Sequence, residues 1–297
     1  MKKSFFIFFC VLFPCFFVQG ENKKPFTIGD NKMPHHIKNI LLPQKFLRGI
    51  YVDNVHGRNL EWIKKTLIQA KEAHINCFVI DIAPYQSMKP KINQKVVEEL
   101  KKENIFTIAR IVAFQYGLEK KQVEEDYLQS IDKLVEEALK AGFEEIQLDY
   151  IRFADGYQGL SLKEKYHFIS QLLSRVKNKI QNPNILLSTD VFGRIVYNKN
   201  DSIGQQLESM AQVAQVICPM VYPSHYTPDQ YKVSQPYFTV RQSTIKGLNR
   251  VGEKTFIMPY IQAFKIAITP SKLSYKKYLE EQVQAVEDTA ARGWIFW

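Results

Sequence analysis

Glu144-Glu145-Ile146-Gln147-Leu148-Asp149-Tyr150-Ile151-Arg152-Phe153 is the stretch on which the reading of this 297-residue chain turns. Its residues alternate with a period of two, so Gln147 and Asp149 share one face of a strand while Ile146 and Leu148 share the other. The strand ends in an acid, an aromatic and a base. A polar pair facing inward near the C-terminal end of a strand is costly to bury unless it serves something. That end is where (β/α)8 barrels carry their active sites. An Asp at a strand end also serves as a turn former or a helix cap. Repetition argues for more: Asp53 ends RGIYVD, Asp81 ends CFVID and Asp190 ends LLSTD, so four apolar strands in series each stop at an acid.

Working outward, strand-like runs fall at 48–53, 77–82, 106–113, 145–150, 185–190, 215–222, 255–262 and 293–297. Apolar residues recur at spacings of three and four over 59–74, 94–103, 124–141, 161–181 and 274–291, which predicts helices there. Gly142 and Gly293 stand where a helix should stop and the next strand begin. Strand-helix alternation with short connections predicts an α/β fold with a parallel sheet, and eight strands fit a closed (β/α)8 TIM-type barrel. A doubly wound sheet is the competing architecture, but no GxGxxG loop follows the first strand. No helix follows the eighth run, so the last helix of the barrel is missing. A truncated product and an N-terminal segment that covers the gap are the two readings of that.

EEIQLDYIRF, STDVFG at 188–193, PMVYPSHY at 219–226, PYIQAF at 259–264 and the terminal GWIFW resemble, in that order, the DUF4015 family of glycoside hydrolases. The resemblance runs from about Leu47 to Trp297. It implies a TIM-type glycosidase barrel acting on carbohydrate, without naming the sugar.

Glycoside hydrolysis requires two carboxyls across the scissile bond, one to protonate the leaving oxygen and one to act as nucleophile or as base toward water. Asp149 and Asp190, on adjacent strands, are the first pair, with Asp81 in reserve as the acid. The placement resembles retaining barrel glycosidases whose strand-four Asp is the nucleophile, and departs from them in offering Asp on strand five where Glu is common. Carboxyls about 5–5.5 Å apart would retain the anomeric configuration, and about 6.5–9.5 Å would leave room for an inverting water. Parity puts Arg110 on the inward face of strand three, between Asp81 and Asp149, where flanking carboxylates would stabilise a buried cation. A purely structural ion pair is the plainer reading.

Asp53, at the rim with the other acids, joins the candidate substrate-binding set. Tyr150, Phe192, Tyr222, Tyr226 and Trp297 fall at strand ends, where their faces suit stacking on pyranose rings, while Arg152, His225 and Gln262 suit hydrogen bonds to hydroxyls. Each alone is as readily core or rim packing. A catalytically inactive barrel that binds glycan or serves as an envelope scaffold is the alternative function, since fold does not fix function.

Residues 1–20 read as a signal peptide: Lys2 and Lys3, an apolar Phe5 to Val18, and Val18-Gln19-Gly20 at the cleavage positions. The apolar run of about 14 residues is short of the roughly 20 that span a bilayer. Export with a mature start at Glu21 is expected, to a periplasmic or extracellular site. Residues 21–46 form a polar leader punctuated by Pro25, Pro34 and Pro43, and 47–297 form the barrel. Cleavage removes Cys10 and Cys15, leaving Cys77 and Cys218 in apolar runs as buried free thiols. Loss of Lys2 and Lys3 lowers the net charge from +10 to +8, and scattered lysines read as a solvated exterior or as attraction to an anionic envelope. No basic cluster interleaved with aromatics suggests nucleic acid. His35-His36 is a poor chelate, no HExxH occurs, and His56, His74 and His167 read as surface residues, so neither metal nor cofactor is expected.

Overall fold

The computed structural model describes residues 45–297. The signal-like segment, Cys10, Cys15, the His35-His36 pair and all but the end of the leader lie outside the described residues. Nine strands make one parallel sheet: β1 (Leu47–Val52), β2 (Cys77–Asp81), β3 (Phe106–Val112), β4 (Glu145–Asp149), β5 (Leu186–Phe192), β6 (Val216–Met220), β7 (Phe256–Ile257), β8 (Tyr260–Ile261) and β9 (Gly293–Phe296). Neighbours run from β1 through β6, and β9 pairs with β1 from Leu47↔Gly293 to Ile50↔Phe296, which closes the sheet into an eight-position barrel.

The seventh position holds two short strands where a single strand over 255–262 was expected. Pro259 has no N–H to give the ladder, so β7 pairs only with β6 and Tyr260 resumes pairing with Met220 and Ile295. Closure depends on Gly293: a Cβ there would lie 2.0 Å from the carbonyl oxygen of Leu47.

The alternation read from sequence divides the apolar residues into two packed layers. Leu47, Cys77, Val79, Ile108, Leu186, Cys218, Met258 and Ile295 fill the barrel, while Phe78, Ile80, Ala109, Ile111, Ile146 and Leu148 face the helices. Each such buried Leu, Ile or Phe contributes roughly 1.5–3 kcal/mol. Helices Leu60–Glu72, Gln94–Lys102, Glu125–Ala141, Leu162–Lys179 and Tyr275–Glu287 agree with the predicted spans. Ser161 starts one of them with a capping box, its hydroxyl accepting from Glu164 N while the Glu164 carboxylate accepts from Ser161 N. A further helix, Pro236–Val251, was not distinguished by pattern because its buried face is Thr239, Val240, Ser243, Thr244, Gly247 and Val251, mostly small and polar. No described helix is long and apolar enough to cross a membrane. Cys77 and Cys218 are both buried and unpaired.

At the N-terminal end of the barrel Arg292 Nη1 donates to Glu145 Oε2 at 2.6 Å, with Glu145 fully buried. The opposite end holds the acids.

Candidate active site

Arg110, only 4% exposed, stands on β3 with Asp81 beside it on β2 and Gln147 on β4. Its Nη1 donates to Asp81 Oδ1 at 2.5 Å, and Nε donates to Asp149 Oδ2 at 3.1 Å, with Nη2 directed at the same oxygen. Asp190 Oδ2 lies 3.6 Å from the same Nε. One guanidinium therefore faces three carboxyls. Full ionisation would leave two uncompensated negative charges in a closed interior, so a proton is retained somewhere in the set. Burial, then the charge of Asp149, push the Asp190 carboxyl well above the ordinary range, and neither of its oxygens has a hydrogen-bond partner. Burial also raises Asp81, against the pull of Arg110 and the Tyr51 hydroxyl, which donates to Asp81 Oδ2 at 2.6 Å.

The β4 terminus is built for this geometry. Tyr150, directly after Asp149, takes φ +55°, a left-handed conformation that costs a side-chain-bearing residue on the order of 1–3 kcal/mol. In that conformation its backbone N–H donates to Asp149 Oδ1 at 2.6 Å. Both oxygens of Asp149 are thus held by donors, one from β3 and one from the turn.

Aromatic rings wall the mouth. Trp297 stacks on Tyr51 with centroids 3.9 Å apart, and the Arg110 guanidinium lies 4.8 Å from the Trp297 ring. Arg152 lies over Phe192 at 5.0 Å and over Tyr150 at 5.8 Å. Tyr222 is buried with its hydroxyl unpartnered, edge-on to His225 at 5.1 Å, and His225 is exposed at the rim. Beneath the acids the Tyr260 hydroxyl donates to Gln147 Oε1 at 2.6 Å, which closes the floor. Tyr51 and Tyr260 were not singled out from sequence. The period of two would have found Tyr51, which follows Leu47 and Gly49 on the inward face.

Three of the candidates do other work. Asp53 is an N-cap, not a fourth member of the acid cluster: its Oδ1 accepts from Val55 N and His56 N, and Oδ2 pairs with His56 Nδ1. Gln262 is fully buried, and its amide is spent on Ser224 N, Tyr278 OH and the carbonyls of Phe264 and Ile266, so no atom is left for a ligand. Tyr226 packs toward helix Pro236–Val251, its hydroxyl shared between Ser243 Oγ and the Gly193 carbonyl. Among the described residues no group of three or more His, Cys, Asp or Glu is arranged to hold a metal.

A closed parallel barrel whose C-terminal rim gathers paired carboxyls and aromatic rings belongs to the TIM-barrel class typical of glycosidases. The chain is a member of the DUF4015 family, "Putative glycosyl hydrolase domain", whose model matches residues 120–297. Similar solved structures include the PgaB (BpsB) glycoside hydrolase domain from Bordetella bronchiseptica, 11% identical over 85% of this chain and 94% of that one, TM-score 0.62. The endo-beta-1,4-mannanase from Thermotoga petrophila is 12% identical over 86% of this chain and 68% of that one, TM-score 0.61. A GH18 chitinase from Pseudoalteromonas aurantia is 10% identical over 84% and 93%, TM-score 0.58. At these identities the likeness is one of fold. No curated protein matches the sequence.

Proposed function

We propose that the protein is an exported glycoside hydrolase that cleaves an envelope or extracellular polysaccharide, with Asp149 as the reacting carboxylate. One observation carries the reading: three carboxyls surround a single guanidinium, and Asp190, whose carboxyl burial pushes up, adjoins Asp149, the one most firmly held by Arg110. Neighbouring carboxyls driven into different protonation states are what acid and nucleophile require. Asp149 Oδ2 and Asp190 Oδ2 share one nitrogen, at 3.1 and 3.6 Å, so their separation cannot exceed the sum of the two. That bound is compatible with the close spacing of retaining enzymes.

Two groups compete for the role of acid. Protonation favours Asp190, whereas contact with the leaving oxygen favours Asp81, whose side chain is 17% exposed against 0% for Asp190. Asp190→Asn and Asp81→Asn separate them: loss of the true acid spares substrates with good leaving groups, which need little protonation. The complete burial of Asp190 also supports a second reading, a barrel that binds glycan without cleaving it.

The test is release of reducing ends from a panel of bacterial envelope and extracellular polysaccharides, followed by proton NMR of the first product formed. Hydrolysis with retained anomeric configuration is expected. Binding without cleavage across the panel would leave the second reading. For export, N-terminal sequencing of the protein from its host should begin at Glu21, and intact Met1 in the membrane fraction would contradict it.

A further inference from the structure

Two large aromatic side chains stand in solvent at the active end of the barrel: Tyr85, 63% exposed, on the loop after β2, and Tyr116, 69% exposed, on the loop after β3. They extend from the strands that carry Asp81 and Arg110. Gln86, next to Tyr85, ties the two loops together by donating from its Nε2 to the Tyr116 hydroxyl.

The loops that present them are fixed. Gly117 N donates to the Phe114 carbonyl at 2.7 Å, and Gly117 takes φ +83° with its α-carbon so close to the β4 loop that a Cβ would lie 2.6 Å from Ala154 N. Leu118 then pairs with Phe153 through Leu118 N to Arg152 O at 3.0 Å and Ala154 N to Leu118 O at 2.9 Å. On the other loop Ser87 N donates to Pro84 O at 2.9 Å, and Gln86 takes φ +59° between them. Isolated exposed aromatics need no explanation. Two exposed rings on loops joined by Gln86, one of them bolted to the loop that carries Arg152, are a prepared surface.

Resting on the glycosidase reading, we infer that Tyr85 and Tyr116 form a stacking platform for a pyranose ring away from the scissile bond, so that the substrate is a sugar chain and not a simple glycoside. The apolar C–H face of a pyranose packs on an aromatic ring, and a phenol at the ring edge meets its hydroxyls. Binding energy collected at such a remote unit positions the reacting one.

The test is native affinity electrophoresis of the full chain in gels cast with neutral β-glucan, galactomannan, glycol chitin or dextran. Retardation by at least one polymer is expected, with the dissociation constant raised roughly tenfold or more in the Tyr85→Ala/Tyr116→Ala double variant. The Tyr85→Phe/Tyr116→Phe variant, which keeps both rings, should retain most of the affinity at unchanged Tm. No retardation by any of the four, or equal retardation of the alanine variant, overturns the platform. Affinity lost in the alanine variant on a polymer that the wild type binds and does not cleave upholds the platform independently of the glycosidase reading, which falls only if no polysaccharide of the wider panel is cleaved.

Discussion

The barrel buries an arginine against carboxyl groups at both ends, and the two clusters differ in stoichiometry. At the N-terminal end Arg292 faces Glu145 one to one, its Nη1 2.6 Å from Oε2, with side chains 5% and 0% exposed. At the C-terminal end Arg110 faces Asp81, Asp149 and Asp190. A one-to-one pair is balanced in charge. An excess of acid favours retention of a proton, and burial raises the Asp190 carboxyl. At the acid-rich end Tyr150 is left-handed, whereas Arg292 at the paired end is followed by Gly293, where a Cβ would meet the Leu47 carbonyl. One motif thus closes the barrel at one end and equips it for chemistry at the other.

The comparison breaks most severely at Arg110. Arg110→Met strands the acids in a closed interior and should cost more than the roughly 3–5 kcal/mol typical of one broken buried pair. Because protonation relieves that strain, the deficit should shrink as pH is lowered from 7 toward 4, measured by urea denaturation. A pH-independent deficit would mean that Arg110 acts by packing alone.

Arg292→Met comes next, at about 3–5 kcal/mol, or a fall in Tm of roughly 6–20 °C for a domain of this size. Glu145→Met added to it should recover much of the loss, since an apolar pair replaces an orphaned charge. No such recovery would show that Glu145 serves something besides Arg292.

Asp190→Asn should give an effect of opposite sign. The folded-state pKa of Asp190 is raised, so its favourable contribution is complete below the unfolded value near 3.9 and is lost as pH rises toward the folded value, at about 1.4 kcal/mol per pH unit. Asparagine does not titrate, so the variant should be more stable than wild type at pH 7, and the gap should close near pH 4. A stability difference that does not vary with pH would place the proton elsewhere in the cluster.

Much of this was legible in sequence because the barrel obeys the strand period. Parity alone put Arg110 between Asp81 and Asp149, and the inward face of EIQLD carries Gln147 and Asp149 as read. Pattern failed where small polar residues line a buried helix face, as at Thr239, Ser243 and Thr244, and where Pro259 splits a strand. It also failed at Asp53, Tyr226 and Gln262, whose polar groups are satisfied by partners distant in sequence or by a local cap. Tyr85 and Tyr116 lie on loops without periodicity, where only the folded chain shows that they adjoin.

The most direct measurement compares wild type and Asp149→Asn on a polysaccharide that the wild type hydrolyses, with Tm recorded for both. The proposed role of Asp149 predicts a kcat lower by roughly a thousandfold or more in a variant whose Tm shows that it remains folded. Undiminished turnover in Asp149→Asn at matched Tm would contradict the assignment and move the chemistry away from Asp149.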